Sequence, residues 1–475
     1  MRIILINPPE MIIGAENGVG FGARTFVKQV RVLPPLGLAY LAAMLRNDPH
    51  EVKLLDANAL RIGPSEIIQI VRSFAPDVVG VTCVTPLFPI VTRMCREIKK
   101  LNPAPVVVVG GPQVTIMPVL TMENPAFDYG IEGEAEQAFP ALLKAVAGGG
   151  EPDGVAGALY RKDGGVIRSG PPEPMAIEEI PFPARDLLPN ESYFDMTTES
   201  RRASSIMTAR GCPFRCSFCE RYIRGGHYRP RSAESVVDEL DELVNGVGCK
   251  EVVIYDDTFT ASKKRAADIC QKILERSLKF RWDCRTRVDC VDRELLDLMK
   301  RAGCSRISFG VESAGAEVLE RFRKNITIEQ VGQAFAWTRE AGIKILAYFM
   351  LGAPGEPRES IEDTVNLSLR LNPDFAYYSI VVPYPGTDMY DQALAEGLLP
   401  FDYWEEYVRK EGLLSEAIPM FEHDDVTRPY LLATLKTAYQ RFYLRPGYIL
   451  RRFRSIRSVS DFIWHVKMAK ATVLT

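Results

Sequence analysis

Three cysteines that could share one metal centre lie in the run Gly211-Cys212-Pro213-Phe214-Arg215-Cys216-Ser217-Phe218-Cys219. Their spacings of four and three residues place three thiolates on one short loop, which can wrap an iron–sulfur cluster. Because such clusters usually take four thiolates, a three-cysteine loop predicts one iron that stays open to another ligand. The alternative is a zinc site, which needs a fourth ligand such as Cys249 or His227.

Polar or glycine-rich runs follow five predicted strands downstream of this loop. They are Asp256-Asp257, Arg285 with Arg287, Glu312-Ser313, Gly352-Ala353-Pro354-Gly355-Glu356 and Pro383-Tyr384-Pro385-Gly386-Thr387. Because catalytic groups of a barrel lie at the carboxyl ends of its strands, we expect these residues to meet. Arg287 and Tyr384 are the candidate catalytic residues. The alternatives are helix N-caps for Asp257 and Ser313 and surface salt bridges for the two arginines.

A second set of loops follows predicted strands in the N-terminal third. These loops are Asn7-Pro8-Pro9, Thr82-Cys83-Val84-Thr85-Pro86, Gly110-Gly111-Pro112-Gln113 and Glu132-Gly133-Glu134. Glycines there let the backbone approach a bulky planar ligand, and small hydroxyl residues can bond its amides. The alternative is a set of ordinary tight turns between strands and helices. No glycine-rich dinucleotide fingerprint follows the first strand, which disfavours a nicotinamide or flavin domain.

The N-terminal third alternates short β-branched runs with amphipathic stretches. The predicted strands are Ile3–Ile6, Val52–Leu55, Asp77–Val81, Val106–Val109 and Tyr129–Ile131, and the predicted helices are Leu36–Arg46, Ser65–Ser73, Ile90–Lys100 and Glu136–Val146. This alternation predicts an α/β domain with a doubly wound parallel sheet over residues 1–147. Residues 148–199 have linker composition, with a hairpin predicted from Gly154–Tyr160 and Val166–Arg168.

Residues 200–390 repeat strand and helix six times. The predicted strands are Ser205–Thr208, Val252–Tyr255, Arg281–Arg285, Arg306–Phe309, Ile343–Met350 and Phe375–Val382. Six such units predict a partial (β/α)6 barrel. Residues 391–475 form no further unit, and Trp404, Tyr407, Phe421, Tyr430, Tyr439 and Phe442 predict helices that pack on the barrel mouth.

Composition narrows the protein class. A chain of 475 residues with 47% hydrophobic residues predicts two or three globular domains. The net charge of −3 gives no sign of a nucleic-acid partner. We expect a cytoplasmic protein, because the N-terminus reads as a strand rather than a signal peptide and no apolar run is long enough to span a bilayer. The basic stretch 441–470 either contacts an anionic membrane peripherally or is a solvated helix face.

The cysteine loop, with Phe218 before its last cysteine, and the loops Gly110–Gln113 and Glu132–Glu134 together resemble the class B, cobalamin-binding radical-SAM family. The resemblance implies a [4Fe–4S] cluster on Cys212, Cys216 and Cys219, with S-adenosylmethionine on the open iron. It also implies that the N-terminal domain binds cobalamin through its four loops.

The resemblance extends to the S-adenosylmethionine contacts. It implies Glu312 near the ribose or methionyl group, Arg287 near the carboxylate, and Gly352 and Pro354 beside the adenine. By the same resemblance, Arg285 and Ser313 are further candidates for contact with S-adenosylmethionine. Tyr255-Asp256-Asp257 replaces the family's Gly-Gly-Glu motif, so Asp256 or Asp257 is the candidate for the ammonium group.

The cobalt ligand departs from many corrinoid domains, which carry an Asp-x-His-x-x-Gly loop. The N-terminal domain has no such motif, its only histidine is His50, and Gln113 stands where the family often has histidine. The lower face of cobalt is then open, or is filled by water or an apolar side chain. Losing a strong axial donor would favour release of a methyl radical.

The function implied is methyl transfer to an unactivated carbon, through a 5′-deoxyadenosyl radical and methylcobalamin. The alternatives are a cobalamin radical-SAM enzyme that performs oxidative cyclisation, ring contraction or carbon–carbon coupling, and a non-catalytic corrinoid or metal carrier. The implied partners are a small-molecule substrate, with a lipid or tetrapyrrole-like molecule preferred, and an electron donor such as flavodoxin or ferredoxin.

Overall fold

The computed structural model of the chain describes residues 1–10, 31–195, 202–220, 227–399, 401–414 and 417–455. Its strands are β1 (Arg2–Asn7), β2 (Arg31–Val32), β3 (Glu51–Asp56), β4 (Val78–Thr82), β5 (Val106–Gly110), β6 (Tyr129–Ile131), β7 (Ala158–Lys162), β8 (Gly165–Arg168), β9 (Phe194–Asp195), β10 (Ala203–Ile206), β11 (Ala209–Arg210), β12 (Arg229–Pro230), β13 (Glu251–Ile254), β14 (Arg281–Thr286), β15 (Cys304–Glu312), β16 (Lys344–Leu351) and β17 (Phe375–Ile380). Its α-helices are α1 (Leu36–Met44), α2 (Ala57–Leu60), α3 (Pro64–Phe74), α4 (Phe88–Ile98), α5 (Pro112–Ile116), α6 (Pro118–Met122), α7 (Ala138–Ala147), α8 (Ala233–Asp241), α9 (Lys263–Glu275), α10 (Arg293–Arg301), α11 (Ala316–Arg321), α12 (Ile328–Glu340), α13 (Arg358–Leu371), α14 (Asp388–Ala395), α15 (Tyr403–Arg409), α16 (Arg428–Tyr443) and α17 (Pro446–Ser455).

The first sheet has seven strands in the order β3-β1-β4-β5-β6-β7-β8, and the first five run parallel. Neighbouring residues of its inner strands enter two separate hydrophobic clusters: Ile4 and Val107 belong to one, Leu5 and Val108 to the other. Both faces are therefore covered, which is why these strands are apolar without alternation. The predicted doubly wound sheet is confirmed. Its strand order reverses between β1 and β4, where such sheets leave a ligand-binding crevice.

The hairpin predicted in the linker joins this first sheet. β7 pairs antiparallel with β6, and β8 pairs antiparallel with β7, so the sheet continues beyond residue 147. The first hairpin strand begins at Ala158 rather than at Gly154. Gly154 and Gly157 have φ of +82° and +80°, a left-handed conformation that belongs to turns rather than to an extended strand.

Six parallel strands in chain order, β10-β13-β14-β15-β16-β17, form the second sheet. The strands β10 and β17 are its two edges and do not pair with each other, so the barrel is open, as a partial (β/α)6 barrel requires. The first strand ends at Ile206 rather than at the predicted Thr208. The Thr208 amide donates to Asp256 Oδ1 at 2.7 Å instead of to a neighbouring strand.

Helix α16 covers the open edge of β17. The Tyr443 hydroxyl donates to the carbonyl of Ala376 at 2.8 Å and accepts from the amide of the same residue at 3.1 Å. Tyr439 makes the same pair of bonds to Tyr378, at 2.9 and 3.1 Å. Because residues four apart share one face of a helix, the two tyrosines satisfy backbone groups that an edge strand otherwise exposes.

The aromatic residues of the C-terminal region divide between two places. Trp404 and Tyr407 of α15 pack at the barrel mouth, as predicted, in a cluster with Phe322 and Tyr390. Phe442 instead packs with the barrel core beside β17, because α16 runs along that edge.

Three arginines of the basic stretch bind within the chain. Arg441 pairs with Glu362 at 2.9 Å, and the guanidiniums of Arg445 and Arg451 donate to the side chain of Asn372 at 2.7 and 3.0 Å. They attach the C-terminal helices to α13. The prediction for residues 456–470 lies outside the described residues. Among the described helices, none has the length and apolar character to cross a membrane.

Candidate active site

The carboxyl-end edges of the two sheets face each other. The hydroxyl of Tyr407 donates to the carbonyl of Pro86, in the loop after β4, at 3.1 Å. Met117, which follows α5, packs in the same cluster as Phe218 of the cysteine loop and Tyr384 after β17. The structure therefore brings the loop after β4 and the end of α5 next to the cysteine loop and the strand end of β17, so that the two sheets border one mouth.

A two-stranded ladder of β11 and β12 closes the base of the cysteine loop. Gly211 follows β11 with φ of +78°, and a Cβ there would lie 2.1 Å from the carbonyl oxygen of His227. Only glycine permits both this conformation and this approach. Farther along, the Ser217 amide donates to the carbonyl of Phe322 at 3.0 Å, which anchors the loop to the barrel.

The ten cysteines are all free thiols and fall into two groups. The seven scattered ones are buried, as predicted, whereas Cys212, Cys216 and Cys219 are partly or fully exposed. Burial raises the pKa of Cys216, although the cations of Lys324 and Arg287 oppose the shift. Although Cys219 is exposed to solvent on one side, the protein around the loop partly desolvates its thiol and, with the charge of Asp257, raises its pKa. Three accessible thiols on one loop at the strand ends are a donor set that fits a cluster with one open iron.

The zinc alternative gains no support from the fold. Cys249 precedes β13 and packs in the barrel core at the amino-terminal end of the sheet, away from the cysteine loop. In the described ranges, no three His, Cys, Asp or Glu side chains converge as a single metal ion requires. A four-iron cluster spaces its thiolates more widely than one ion does, so this finding bears on zinc alone.

Two ion pairs lie beside Cys216. Arg287 Nη1 is 3.7 Å from Cys216 Sγ, and the same guanidinium pairs with Asp289 at 2.9 Å. The buried Lys324 donates to Glu312 at 2.7 Å. Burial lowers the pKa of Lys324, but the charges of Glu312 and Cys216 raise it, and the net shift is upward. The predicted residues Arg287 and Glu312 are thus brought together at the cysteine loop.

Glu312 has an unusual backbone. Its φ is +69°, and the register of β15 against β16 shifts between Gly310 and Glu312. A non-glycine residue in this region costs on the order of 1–3 kcal/mol and persists where surrounding contacts fix it. The ion pair with Lys324 is such a contact.

The two neighbouring aspartates have different surroundings. Asp256 is buried and accepts hydrogen bonds from the amides of Thr208 and Ala209, at 2.7 and 3.1 Å, and from the Thr208 hydroxyl. Burial raises the pKa of Asp256, against these bonds. Asp257 is exposed and acts electrostatically on the Cys219 thiol. It is no helix N-cap, because Ser262 caps α9.

The Gly352–Glu356 loop is organised by Glu356, whose carboxylate accepts from the amides of Gly352 and Ala353, both at 2.9 Å. Pro354 turns its carbonyl toward the guanidinium of Arg321. Ser313 Oγ lies 3.1 Å from Thr364 Oγ1 and accepts from the amide of Gly315, the N-cap of α11. Ser313 therefore shapes the turn into α11 without capping it.

Arg285 belongs to the bore of the barrel. The preceding residue, Cys284, packs in the core between the sheet and the helices. Because successive side chains of a strand point to opposite faces, Arg285 points into the barrel, and its guanidinium lies 4.7 Å from the ring centroid of Tyr255. Asp283, two residues earlier on the same strand, pairs with Arg306 at 2.6 Å and with Arg31 at 3.1 Å. Neither Arg285 nor the buried Arg287 forms the surface salt bridge that was the alternative.

Tyr384 packs against a neighbouring aromatic ring at the mouth. Its ring stacks on Trp404 with centroids 5.0 Å apart and planes 21° apart. The indole nitrogen of Trp404 donates to the carbonyl of Pro383 at 2.7 Å, which fixes the loop that carries Tyr384.

Of the two glycines at the edge of the first sheet, Gly110 leaves room for a ligand, whereas Gly111 packs closely on the neighbouring loop. At Gly111, with φ of +94°, a Cβ would lie 2.7 Å from Thr82 Oγ1, so the two loops touch. At Gly110 a Cβ would meet only the carbonyl of Ile131, at 3.9 Å. Gln113 is buried and donates to Thr121 Oγ1 at 3.0 Å, while its Oε1 has no hydrogen-bond partner within the described part of the chain. A buried acceptor near the open Gly110 fits a ligand with amide donors, as a corrinoid has.

The other two loops are tied mainly to the protein. Asn7 donates to Asp56 at 2.8 Å, the carbonyl of Pro8 accepts from Asn58 at 3.1 Å, and Pro8 and Pro9 are buried. In the loop after β4, Thr85 is buried as well. The loop after β6 pairs Glu132 with Arg168 at 2.7 Å and Glu134 with Arg210 at 2.8 Å. Gly133, between them, has φ of +73°.

The histidine of the N-terminal domain lies away from this edge. His50 precedes β3 at the amino-terminal edge of the sheet, where its Nδ1 is 3.4 Å from the chain's amino group. The expectation that no imidazole of this domain reaches the strand-end loops holds for its described residues.

Lys324 and Arg210 take part in the site although the sequence analysis did not predict them, and Glu356 was predicted only as the end of a glycine-rich run. Lys324 follows a short helix, and nothing in the sequence around it indicates that it pairs with Glu312. Arg210, next to Gly211, offered one usable signal, since a charged residue just beyond a predicted buried strand needs a partner.

Comparison with known proteins agrees with both halves of this site. Residues 206–368 match the family model "Radical SAM superfamily", and residues 27–143 match "B12 binding domain". The chain belongs to the cobalamin-binding, class B radical-SAM enzymes, whose cofactors are a [4Fe–4S] cluster, S-adenosylmethionine and cobalamin. It is an enzyme, so the alternative of a non-catalytic carrier is wrong.

Particular relatives match over nearly the whole chain. The "uncharacterized methyltransferase PH0819" of Pyrococcus horikoshii is 36% identical over 95% of this chain and 94% of its own length. The anaerobic magnesium-protoporphyrin IX monomethyl ester cyclase of Rubrivivax gelatinosus is 30% identical over 94% and 78%. The fold is similar to that of the radical S-adenosylmethionine methyltransferase TsrM of Kitasatospora setae, with a TM-score of 0.71 and 20% identity over 94% and 89% of the two chains.

Proposed function

We propose that the enzyme transfers a methyl group to an unactivated carbon of a small molecule. The observation that carries the proposal is that the strand-end loops of the two sheets meet at one mouth, where Tyr407 bonds to Pro86 and Met117 packs with Phe218 of the cysteine loop. A reaction that uses both cofactors on one substrate needs such a mouth. The similarity to a relative named a methyltransferase over nearly its full length supports methyl transfer.

When bound, the cluster supplies the electron that cleaves S-adenosylmethionine, and cobalamin supplies the methyl group. The chain's own residues hold and orient these groups. Cys212, Cys216 and Cys219 hold the cluster, and Arg287 and Lys324 provide the cationic side that suits a carboxylate.

Further contacts follow from exposure and position. Asp257, which is exposed beside Cys219, suits the ammonium group of S-adenosylmethionine better than the buried Asp256 does. The loop of Gly352 and Pro354 suits the adenine, with Glu356 and Ser313 as its support. Glu312 suits the ribose or methionyl group through its fixed backbone.

On the corrinoid side, we assign the first contacts by the room they leave. Gly110, Gly111 and Pro112 line the open strand end, with Thr82, Thr85 and the unpaired Oε1 of Gln113 beside them. Asn7, Pro8 and Pro9 shape the neighbouring loop from behind. Tyr384, held by Trp404, faces the mouth as the candidate residue that touches substrate.

A flat, apolar substrate suits this mouth best. Tyr384 and Phe218 are partly exposed and offer ring faces at the mouth, and the buried rings of Trp404 and Tyr407 pack behind them. The similarity to a cyclase named for a protoporphyrin ester supports a tetrapyrrole-like molecule over a lipid. Electrons come from a flavodoxin or ferredoxin, and we place the enzyme in the cytoplasm with peripheral membrane contact through the basic stretch as a secondary proposal.

A second candidate function is oxidative cyclisation, ring contraction or carbon–carbon coupling on the same cofactors. The observation that favours it is the 30% identity to the cyclase over 94% of this chain. The two candidates differ in their use of S-adenosylmethionine. Methyl transfer consumes one molecule for the radical and one for the methyl group, whereas the second candidate consumes only the first.

The test is an anaerobic incubation with cobalamin, a reductant, methyl-labelled S-adenosylmethionine and an extract of pigments and lipids. We expect 5′-deoxyadenosine and S-adenosylhomocysteine to form together, with label in a carbon-bound methyl group. The Cys216→Ala variant should form neither while keeping the fold, and Cys270→Ala, which removes a buried thiol, should form both. Formation of 5′-deoxyadenosine alone would contradict methyl transfer and favour the second candidate.

A further inference from the structure

A buried charge cluster joins the two domains at the base of the cysteine loop. Glu134, in the loop after β6, pairs with Arg210 of β11 at 2.8 Å and contacts Arg229 of β12. Glu136 pairs with the same Arg210 at 2.5 Å. The cluster therefore sets two carboxylates of the first domain against two guanidiniums of the second.

This charge cluster of Glu134, Glu136, Arg210 and Arg229 is largely buried. The side chains of Arg210, Glu134 and Glu136 are 8%, 9% and 6% exposed, and Arg229 is 21% exposed. The Arg210 guanidinium also lies 5.2 Å from the ring centroid of Tyr40, in α1. Buried ion pairs add little net stability, and their best-attested use is to fix one arrangement among several. A clamp between domains is such a use.

The position of the two arginines decides what is clamped. Arg210 and Arg229 are paired residues of the β11–β12 ladder, and the three cysteines lie on the chain between them. One carboxylate, Glu134, thus holds both stems of the cysteine loop. Arg210 is also the residue directly before Gly211, where the cysteine loop begins.

The other side of Glu134 belongs to the cobalamin-binding domain. The neighbouring Gly133 amide donates to Thr115 Oγ1 at 2.9 Å, and Thr115 lies in α5, the helix that begins at Pro112 beside the glycine strand end. Thr115 and Gly133 therefore connect α5, next to the glycine strand end, with the residue before Glu134.

We infer that Glu134 and Glu136 are positioning residues that hold the cysteine loop in place relative to the corrinoid edge. Cobalamin binding then stabilises the [4Fe–4S] cluster. The inference rests on the proposed function in one respect, namely that the first domain binds cobalamin. It assigns the acidic loop to the link between cofactors rather than to direct contact with the corrinoid.

The test measures how fast a ferrous chelator removes iron from the reduced, reconstituted full chain, with and without hydroxocobalamin. In the wild type we expect cobalamin to slow iron loss several-fold. In Glu134→Gln we expect faster iron loss and no response to cobalamin. The control Glu151→Gln breaks an exposed ion pair with Lys162 in the same domain and should behave as the wild type does.

The outcomes separate the inference from the proposed function. If the wild type binds cobalt and Glu134→Gln keeps both the wild-type rate and its response, the inference is overturned. If the wild type binds no cobalt, the proposed function fails, while the rate of iron loss without cobalamin still tests the clamp on the loop. Should Glu134→Gln not fold, Arg229→Gln breaks only one stem contact and should show an intermediate loss of response.

Discussion

At the scale of single residues, the mouth of the enzyme is governed by the charges beside Cys216. Cysteine spacing alone identified the three exposed thiols, because ligands of one cluster on one loop are local in sequence. The Lys324–Glu312 pair was not readable in the same way. Its partners come together only through the turn after β15 and the left-handed backbone of Glu312.

Replacing Lys324 by methionine should lower the reduction potential of the cluster. The positive charge acts on Cys216, and its loss leaves Glu312 as an uncompensated anion nearby. Charge and hydrogen bonds near a cluster set its potential. We expect a shift on the order of 60 mV, a tenfold change in reducibility for one electron, measured by redox titration with electron paramagnetic resonance.

Two further variants check the cause of that shift. Lys324→Met combined with Glu312→Gln should recover part of the potential, because it removes the stranded anion. Lys263→Met removes a lysine from an exposed pair with Asp292 and should leave the potential unchanged. An unaltered potential in Lys324→Met itself would show that this ion pair does not act on the cluster.

At the scale of elements, strand and helix units were predictable while their edges were not. Apolar β-branched runs between amphipathic stretches gave both sheets and the open barrel. The two-residue strands β11 and β12 carry no periodicity and were missed, although they set the cysteine loop. The role of α16 was missed as well, because bonds from tyrosine hydroxyls to an edge strand depend on tertiary contact.

Replacing Gly211 by alanine should open the β11–β12 stem and lower cluster content. An added Cβ would clash with the carbonyl of His227 in addition to the strain of a positive φ. Gly154→Ala is the matched control, since its φ is +82° with nothing within 4 Å of the added atom. We expect about 1 kcal/mol of destabilisation in the control and a larger effect with loss of iron in Gly211→Ala. Equal melting temperatures and equal iron in the two variants would contradict the role of the stem.

Removing the Tyr443 hydroxyl should weaken the cover on β17. Tyr443→Phe leaves the amide and carbonyl of Ala376 without this partner, which costs about 1–3 kcal/mol when the groups are buried. Thermal or denaturant unfolding measures the loss. Thr437→Ala, which removes an exposed hydroxyl from the same helix, should change stability little. A variant Tyr443→Phe as stable as the wild type would show that the edge is satisfied in another way.

At the scale of the whole molecule, two sheets present their carboxyl ends to one mouth, and the acidic loop after β6 connects them. The sequence indicated each cofactor-binding half through its own loops. It did not indicate that Glu134 reaches the stem of the cysteine loop, because that contact joins residues far apart in the chain. The structure also narrows the interpretation of the basic stretch as a membrane-binding segment, because three of its arginines bind α13 and the residue after it.

The most direct test of two cofactors at one mouth is the iron and cobalt content of the full chain purified anaerobically with cobalamin supplied. We expect about four irons and one cobalt per chain, with cluster absorption that is lost in Cys216→Ala while cobalt remains. Iron without cobalt would keep the radical chemistry of the cysteine loop but contradict the ligand assigned to the first sheet, and the proposal of methyl transfer would fall with it.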